Sequence, residues 1–176
     1  MAVSDERGLA SFEAVVLPHL DAAFNLARWL TRNPDDAADV VQESMVRALR
    51  GFEGYSGQDA RAWLLAVVRN TCYTWLGKNR RGAPSPLPDA NADLLEAPAC
   101  DPAAMLVRAA DAEQLRRTIE GLPVDLREVF VLRELEGLSY KQIAAVAELP
   151  IGTVMSRLSR ARQQLQKALT STEGET

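Results

Sequence analysis

Histidine and cysteine are nearly absent: the 176 residues include one histidine, His19, and two cysteines, Cys72 and Cys100. Two cysteines are too few for a disulfide framework or a four-ligand zinc site. One histidine argues against an imidazole metal centre, and no nucleophile–base pair converges with it, which weighs against a helical enzyme. No apolar run approaches the roughly 18 residues needed to cross a bilayer. The start, Met1 to Gly8, is acidic and polar, without the basic-then-apolar pattern of an export signal. No convincing strand pattern or internal repeat is present. A surplus of positive charge is missing too, since the formal net charge is −4. These absences predict a cytoplasmic protein with no metal, no cofactor, no catalytic residues and no membrane insertion. What remains, 47% hydrophobic and 25% charged residues, suits one globular domain or two small ones.

An acidic protein is a poor non-specific DNA binder, because counterion release rewards Lys and Arg. Here, though, the charges are segregated. Asp35, Asp36, Asp39 and Glu43 form one acidic stretch. Residues 60–81 carry Arg61, Arg69, Lys78, Arg80 and Arg81 and no acid. Residues 82–106 carry Asp89, Asp93, Glu96 and Asp101 and no base, and 153–167 carry Arg157, Arg160, Arg162 and Lys167 and no acid. Two basic patches divided by an acidic connector suggest two anion-binding surfaces.

The connector contains Pro84, Pro86, Pro88, Pro98 and Pro102, which remove backbone donors and forbid a continuing helix, so 82–106 reads as a flexible linker. Both flanking parts read as helical. Leu20, Phe24, Ala27 and Leu30 form an apolar-periodic stretch that Asn33-Pro34 breaks, and Pro34 with the following acids starts the next helix favourably against its dipole. That helix, about 35–50, directs Ala37, Val40, Val41, Met45 and Leu49 to a core. A glycine-punctuated loop with Phe52 and Tyr55 precedes a long helix, about 59–78. Beyond the linker, helices are expected at about 108–121, 124–135, 140–148 and 151–168, and the tail from Thr170 is expected to be disordered.

Ser139 and Gln142 have the spacing of a capping box, and Glu148-Leu149-Pro150 makes a turn in which Pro150 suits the start of a second helix. At about 100° per residue, that helix gathers Val154, Leu158, Ala161 and Leu165 on one side. Thr153, Ser156, Arg157, Arg160 and Gln164 lie on another. Arginine binds guanine at two points or clamps phosphate, and short hydroxyls reach base edges or backbone, as a recognition helix requires. A solvated face on an ordinary helical hairpin fits the same periodicity.

The segments Leu138–Ala144 and Ile151–Arg162, with Leu122-Pro123 and Arg127–Phe130 upstream, resemble the second conserved domain of extracytoplasmic-function sigma factors. Ala37–Glu43, Phe52, Ala62-Trp63-Leu64, Arg69-Asn70-Thr71 and Trp75-Leu76 resemble the first. The resemblance implies an all-α chain of two small helical domains: sigma region 2 over 10–81, the linker 82–106, and sigma region 4 with its helix-turn-helix over 107–169. It implies a non-catalytic factor that binds core RNA polymerase and promoter DNA and is controlled by an anti-sigma factor. In this reading Asp39, Gln42 and Glu43 dock on the polymerase. Thr153, Ser156, Arg157, Arg160 and Gln164 read the −35 element, while Phe52, Tyr55, Arg69, Asn70, Tyr73 and Arg80 hold the melted −10 element, the loop aromatics trapping a flipped base. Phe52 also fits a core plug, and the acidic face also fits a solvated surface or, less well, a carboxylate metal site. Trp63, Trp75 and Cys72 are assigned mainly to the core, and His19 to a structural role. The elements lie about 25 base pairs apart, roughly 85 Å of B-DNA, which an extended linker of about 26 residues spans.

Three positions depart from the resembling proteins. Glu148 replaces a frequent glycine, so a left-handed backbone there costs about 1–2 kcal/mol. Met155 replaces a frequent lysine, and Thr74 a commonly acidic residue. A helix-turn-helix regulator acting without polymerase is the alternative, and it predicts tight duplex binding by the isolated protein.

Overall fold

Asn33 starts a helix through its own side chain. Its side chain accepts from the backbone N–H groups of Asp35 at 2.8 Å and Asp36 at 3.1 Å, which makes it the N-cap of a helix beginning at Pro34. Arg32, in the left-handed region at φ 61°, closes the helix before it. The computed structural model describes residues 2–79 and 102–173.

Four helices form the N-terminal half: α1 (Ala2–Val16), α2 (Leu20–Thr31), α3 (Pro34–Gly51) and α4 (Ala60–Asn79). Short 3-10 turns at Leu17–His19 and Phe52–Gly54 join α1 to α2 and follow α3. The C-terminal half comprises α5 (Pro102–Glu120), α6 (Val124–Phe130), α7 (Tyr140–Ala147) and α8 (Ile151–Glu173). No strand occurs among the described residues.

Several details differ from expectation. Residues 82–101 of the expected linker lie outside the described residues, and from Pro102 onward the chain is already helix α5, with proline tolerated because an opening N–H needs no partner. The helix expected over 124–135 widens at Val131–Leu135 into a π-helical turn, where the Glu136 N–H donates to the Val131 carbonyl at 3.0 Å. Gly137, at φ 68°, then ends it. Helix α8 continues through Glu173, beyond the expected end near 168 and through Thr170, where disorder was expected. Leu49, directed to the core by periodicity, is 45% exposed, and Phe24 of the apolar-periodic stretch is 37% exposed. Ala37, Val40 and Val41 are buried, and Met45 is half-buried against them.

The two halves share one core. Leu26, Leu30, Val40, Leu64, Leu65 and Val68 pack in the same cluster as Val129, Leu132, Ile143 and Leu158. Helix α4 packs on α7, and α2 on α6. A second cluster of Ile119, Leu122, Leu126, Ala161 and Leu165 lies under α8, and Trp29 of α2 packs against both clusters. At about 1.5–3 kcal/mol for each fully buried large aliphatic side chain, the shared cluster is the main force holding the halves together.

Candidate nucleic-acid interface

The C-terminal helix pair is built from its caps. Ser139 Oγ accepts from the Gln142 N–H at 3.1 Å, and Gln142 Oε1 accepts from the Ser139 N–H at 2.8 Å, the reciprocal box the sequence predicts. The same Gln142 side chain also donates to Asp59 Oδ2 at 2.6 Å, while Asp59 Oδ1 accepts from the Ala62 N–H at 3.0 Å. The start of α7 is thereby tied to the start of α4. The Ala62 N–H, then Gln142, hold the Asp59 carboxyl below its ordinary pKa.

Glu148 ends α7 in the left-handed conformation, φ 54° and ψ 47°, donating its N–H to the Ala144 carbonyl. A left-handed backbone at a residue with a Cβ makes this the strained turn that the sequence reading anticipates. Pro150 then accepts from the N–H groups of Thr153 and Val154, opening α8. Val154, Leu158, Ala161 and Leu165 are all buried. Ser156, Arg160 and Gln164 are exposed, and Thr153 and Arg157 are half-buried. Arg157 Nε lies 3.8 Å from Asp125 Oδ2, beyond hydrogen-bond length, so its guanidinium is only loosely engaged. Met155 and Ile151, 51% and 46% exposed, flank this face. The sequence singled out Met155 only as a lost cation.

The N-terminal candidates fall into two groups. Phe52 and Tyr55 stack with centroids 5.8 Å apart, Tyr55 meets Trp63 at 5.1 Å, and Phe12 meets Phe52 edge-on at 5.3 Å. Phe52 is half-buried against the core, so it combines the packing role with an aromatic surface at the loop. On α4, Asn70 is exposed, whereas Arg69 and Tyr73 are half-buried. Arg69 Nε donates to Glu128 Oε1 and Tyr73 OH donates to Glu128 Oε2 at 2.7 Å, with the Arg69 guanidinium 4.4 Å from the Tyr73 ring centroid. The physical reason is that a carboxylate from α6, fully buried, needs both donors. Burial works against the Arg69 charge, but the Glu128 carboxylate outweighs it and raises the pKa above its ordinary value. Burial, followed by the Glu128 charge, pushes the Tyr73 phenol well up. Arg80 lies outside the described residues.

On α3, Asp39, Gln42 and Glu43 are exposed along one face with Asp35. Glu43 pairs with Arg47 at 2.8 Å, which lowers its pKa. Beside this face, Leu20, Asp21, Phe24, Ala38, Val41 and Gln42 line a shallow groove between α2 and α3. The helical repeat of α2, which counts Phe24 with Leu20, Ala27 and Leu30, gives no sign of this groove. Among the described residues no three His, Cys, Asp or Glu side chains converge to hold a metal. Cys72 is buried, and burial with the nearby Glu128 charge pushes its thiol up to about 12. Cys100 lies outside the described residues. Trp63 and Trp75 are half-buried against the core.

Sequence comparison matches residues 15–82 to Sigma-70 region 2 and residues 112–165 to Sigma-70, region 4. The chain is 38% identical over 141 residues to the ECF RNA polymerase sigma-E factor of Salmonella typhimurium, covering 74% of this chain and 72% of that one. The chain belongs to the extracytoplasmic-function sigma factors. A second relative, the ECF RNA polymerase sigma factor SigE of Mycolicibacterium smegmatis, is 30% identical over 175 residues, covering 99% of this sigma factor and 68% of its relative. Among solved structures, the sigma factor RpoE in complex with the anti-sigma factor NepR from Bartonella quintana superposes with a TM-score of 0.74 at 26% identity, covering 91% of this sigma factor and 97% of that chain. CnrH in complex with the cytosolic domain of CnrY superposes with a TM-score of 0.66 at 26% identity, covering 93% and 90%. No described helix is long and apolar enough to cross a membrane.

Two buried charges of α6 were read in the sequence only as part of a family segment. Arg127, 4% exposed, donates through Nη1 to the carbonyls of Glu120 at 2.6 Å and Leu122 at 3.0 Å, and through Nη2 to Leu30 at 3.4 Å. It thus sits at the C-terminal ends of α5 and α2, where carbonyls lack partners and a cation is favoured. Burial lowers its pKa to about 10. Its neighbour is Glu128.

Proposed function

We propose that this sigma factor, acting as a non-enzymatic cytoplasmic protein, binds core RNA polymerase and directs promoter-specific initiation under the control of an anti-sigma factor. The working units are residues 10–81 and 107–169, tethered by 82–106. Helix α8 lies in the major groove of the −35 element, with Thr153, Ser156, Arg157, Arg160 and Gln164 against bases and phosphates. Asn70, Arg69, Tyr73 and Arg80 hold the −10 strand, and the Phe52–Tyr55 stack receives an unpaired base. Asp39, Gln42 and Glu43 meet a basic surface of the polymerase.

One observation carries the reading: α8 buries Val154, Leu158, Ala161 and Leu165 while turning Ser156, Arg160 and Gln164 outward from a double-capped helix-turn-helix. The relatives' names and the solved complex of RpoE with the anti-sigma factor NepR support the partners. The test is reconstitution. Purified protein added to bacterial core polymerase is expected to start transcripts from a restricted promoter set, and no binding to core where a known sigma factor binds would end the proposal.

A further inference from the structure

We infer that Met155 is a specificity-determining residue of α8, contacting the 5-methyl group of a thymine in the −35 element. The inference rests on the proposed placement of α8 in the major groove.

At about 100° per residue, Ile151 and Met155 share one strip of α8. The strip runs between the buried side of Val154 and Leu158 and the outward side of Ser156 and Arg160. Ile151 and Met155 are 46% and 51% exposed, one turn apart at the start of the helix. From those first turns a recognition helix reaches base edges. A single exposed apolar side chain needs no explanation, but here two stand together where bases are read. The outward neighbours of Met155 three residues before and four after are Gly152 and Ser159, both small and exposed. No bulky side chain of α8 therefore stands between the thioether and an approaching base pair.

The surroundings of the strip fit a polyanion. Residues 153–167 contain no acid, and Arg160 on the adjoining face is exposed. Arg162, seven residues beyond Met155 and on the same strip, donates to Glu134 Oε1 at 2.5 Å. Its charge is answered within the protein, so the strip offers DNA carbon and sulfur rather than a cation. The one apolar group that bases expose in the major groove is the thymine methyl, and cytosine lacks it. Methionine, unbranched and polarisable, adapts to such a group from several directions. A lysine at this position would seek phosphate or guanine instead. Met155 thus exchanges one kind of readout for another, rather than only losing a cation.

The test uses holoenzyme reconstituted with bacterial core polymerase and a promoter library randomised over the −35 element, with the transcripts sequenced. The unsubstituted protein is expected to enrich thymine at a position where Met155→Ala shows no preference, while its preferences elsewhere are unchanged. In a fluorescein-labelled duplex of the selected sequence, that thymine is then replaced by deoxyuridine, which pairs identically but lacks the methyl. The replacement is expected to weaken holoenzyme binding about fourfold, as loss of one buried methyl implies. Met155→Ala and Met155→Lys are expected to ignore it, and Met155→Lys to bind with a steeper salt dependence. An equal deoxyuridine penalty in Met155→Ala, or an unchanged base preference, overturns the thymine contact. Weaker core binding by Met155→Ala with base preferences intact overturns it too and assigns the strip to a protein partner. Arg160→Ala separates this inference from the reading beneath it. If Arg160→Ala changes base preferences and Met155→Ala does not, only the thymine contact falls. If neither changes them, or no promoter is selected, the placement of α8 on DNA falls and the contact with it.

Discussion

The guanidinium of Arg69 and the carboxylate of Glu128, 59 residues apart in the chain, pair at the seam between the two halves, with Arg69 only 16% exposed and Glu128 fully buried. A pair of this kind is not simply stabilising, because desolvating both charges offsets much of their attraction. Its asymmetry gives the first prediction. Arg69→Met strands a buried carboxylate and is expected to lower the urea midpoint clearly, while Arg69→Met with Glu128→Met recovers most of the loss. A double-mutant cycle on urea unfolding is expected to give a coupling energy of about 2–3 kcal/mol. Additive losses would mean that the two side chains do not sense each other.

Arg127 presents the opposite case, a buried charge satisfied mostly by backbone. Its Nη1 serves the carbonyls of Glu120 and Leu122. Arg127→Met keeps apolar bulk but leaves both carbonyls short of a donor, each costing about 1–3 kcal/mol, with part returned because the methionine needs no desolvation. The net expected loss is about 2 kcal/mol, read from urea denaturation.

These two residues mark the limit of what was legible in the sequence. Periodicity located α8 and its buried face correctly, because Val154, Leu158, Ala161 and Leu165 repeat within a single helix. Ser139 and Gln142 were legible for a related reason, since a capping box bonds to its own neighbours three residues away. Arg127 and Glu128 carry no such local sign. An adjacent Arg-Glu pair in a short helix looks like a solvated face until partners 59 and 97 residues away close over it. Phe24 failed in the opposite direction. It satisfies the helical repeat of α2, yet among the described residues its side chain lines an open groove instead of packing inward. The partners of Arg69 and Tyr73 were hidden for the same reason as those of Glu128: one helix shows which residues share a side, never what lies against it.

Cys72 is expected to be chemically silent. A thiol raised to about 12 by burial and the Glu128 charge is almost wholly protonated near neutral pH. In Cys100→Ser protein, an aromatic disulfide reagent at pH 8 is expected to leave Cys72 unmodified until urea unfolds the chain. The shift has a sign for stability. The folded state holds this proton above pH 9, where the unfolded thiol loses it, so the contribution is intact below pH 9 and is lost as pH rises toward about 12. Rapid labelling of the folded protein would contradict the assignment.

Glu148 carries backbone strain that glycine lacks. Its φ of 54° lies in the left-handed region, which costs a residue with a Cβ about 1–2 kcal/mol. Glycine gives back about 0.5–1 kcal/mol through the extra freedom of its unfolded chain. Glu148→Gly is therefore expected to gain about 0.5–1 kcal/mol, a rise of about 1–4 °C in Tm, whereas Glu148→Ala keeps the Cβ and gains nothing. Calorimetry on both variants separates strain from any effect of the lost charge.

The docking face is expected to need its acids and its groove together. Asp39 and Glu43 are solvent-exposed, and Glu43 pairs with Arg47 on the same helix. An exposed pair of this kind contributes little to folding, so reversing both acids to lysine is expected to leave thermal stability nearly unchanged. Against a basic partner surface the same change replaces attraction with repulsion, which slows association and weakens affinity. Phe24 tests the apolar component. At 37% exposed beside Gln42 and Val41, Phe24→Ser removes little core packing but strips the groove of its largest side chain, and interface aromatics often dominate binding energy. Asp39→Lys with Glu43→Lys is expected to reduce affinity for core polymerase by more than about tenfold and to abolish or reverse its weakening by salt, because screening then relieves a repulsion. Phe24→Ser is expected to reduce affinity with its salt dependence retained. Titration of labelled protein with core at two ionic strengths reads both effects. Unaltered affinity in both variants, with the fold intact by circular dichroism, would move the docking surface off α2 and α3.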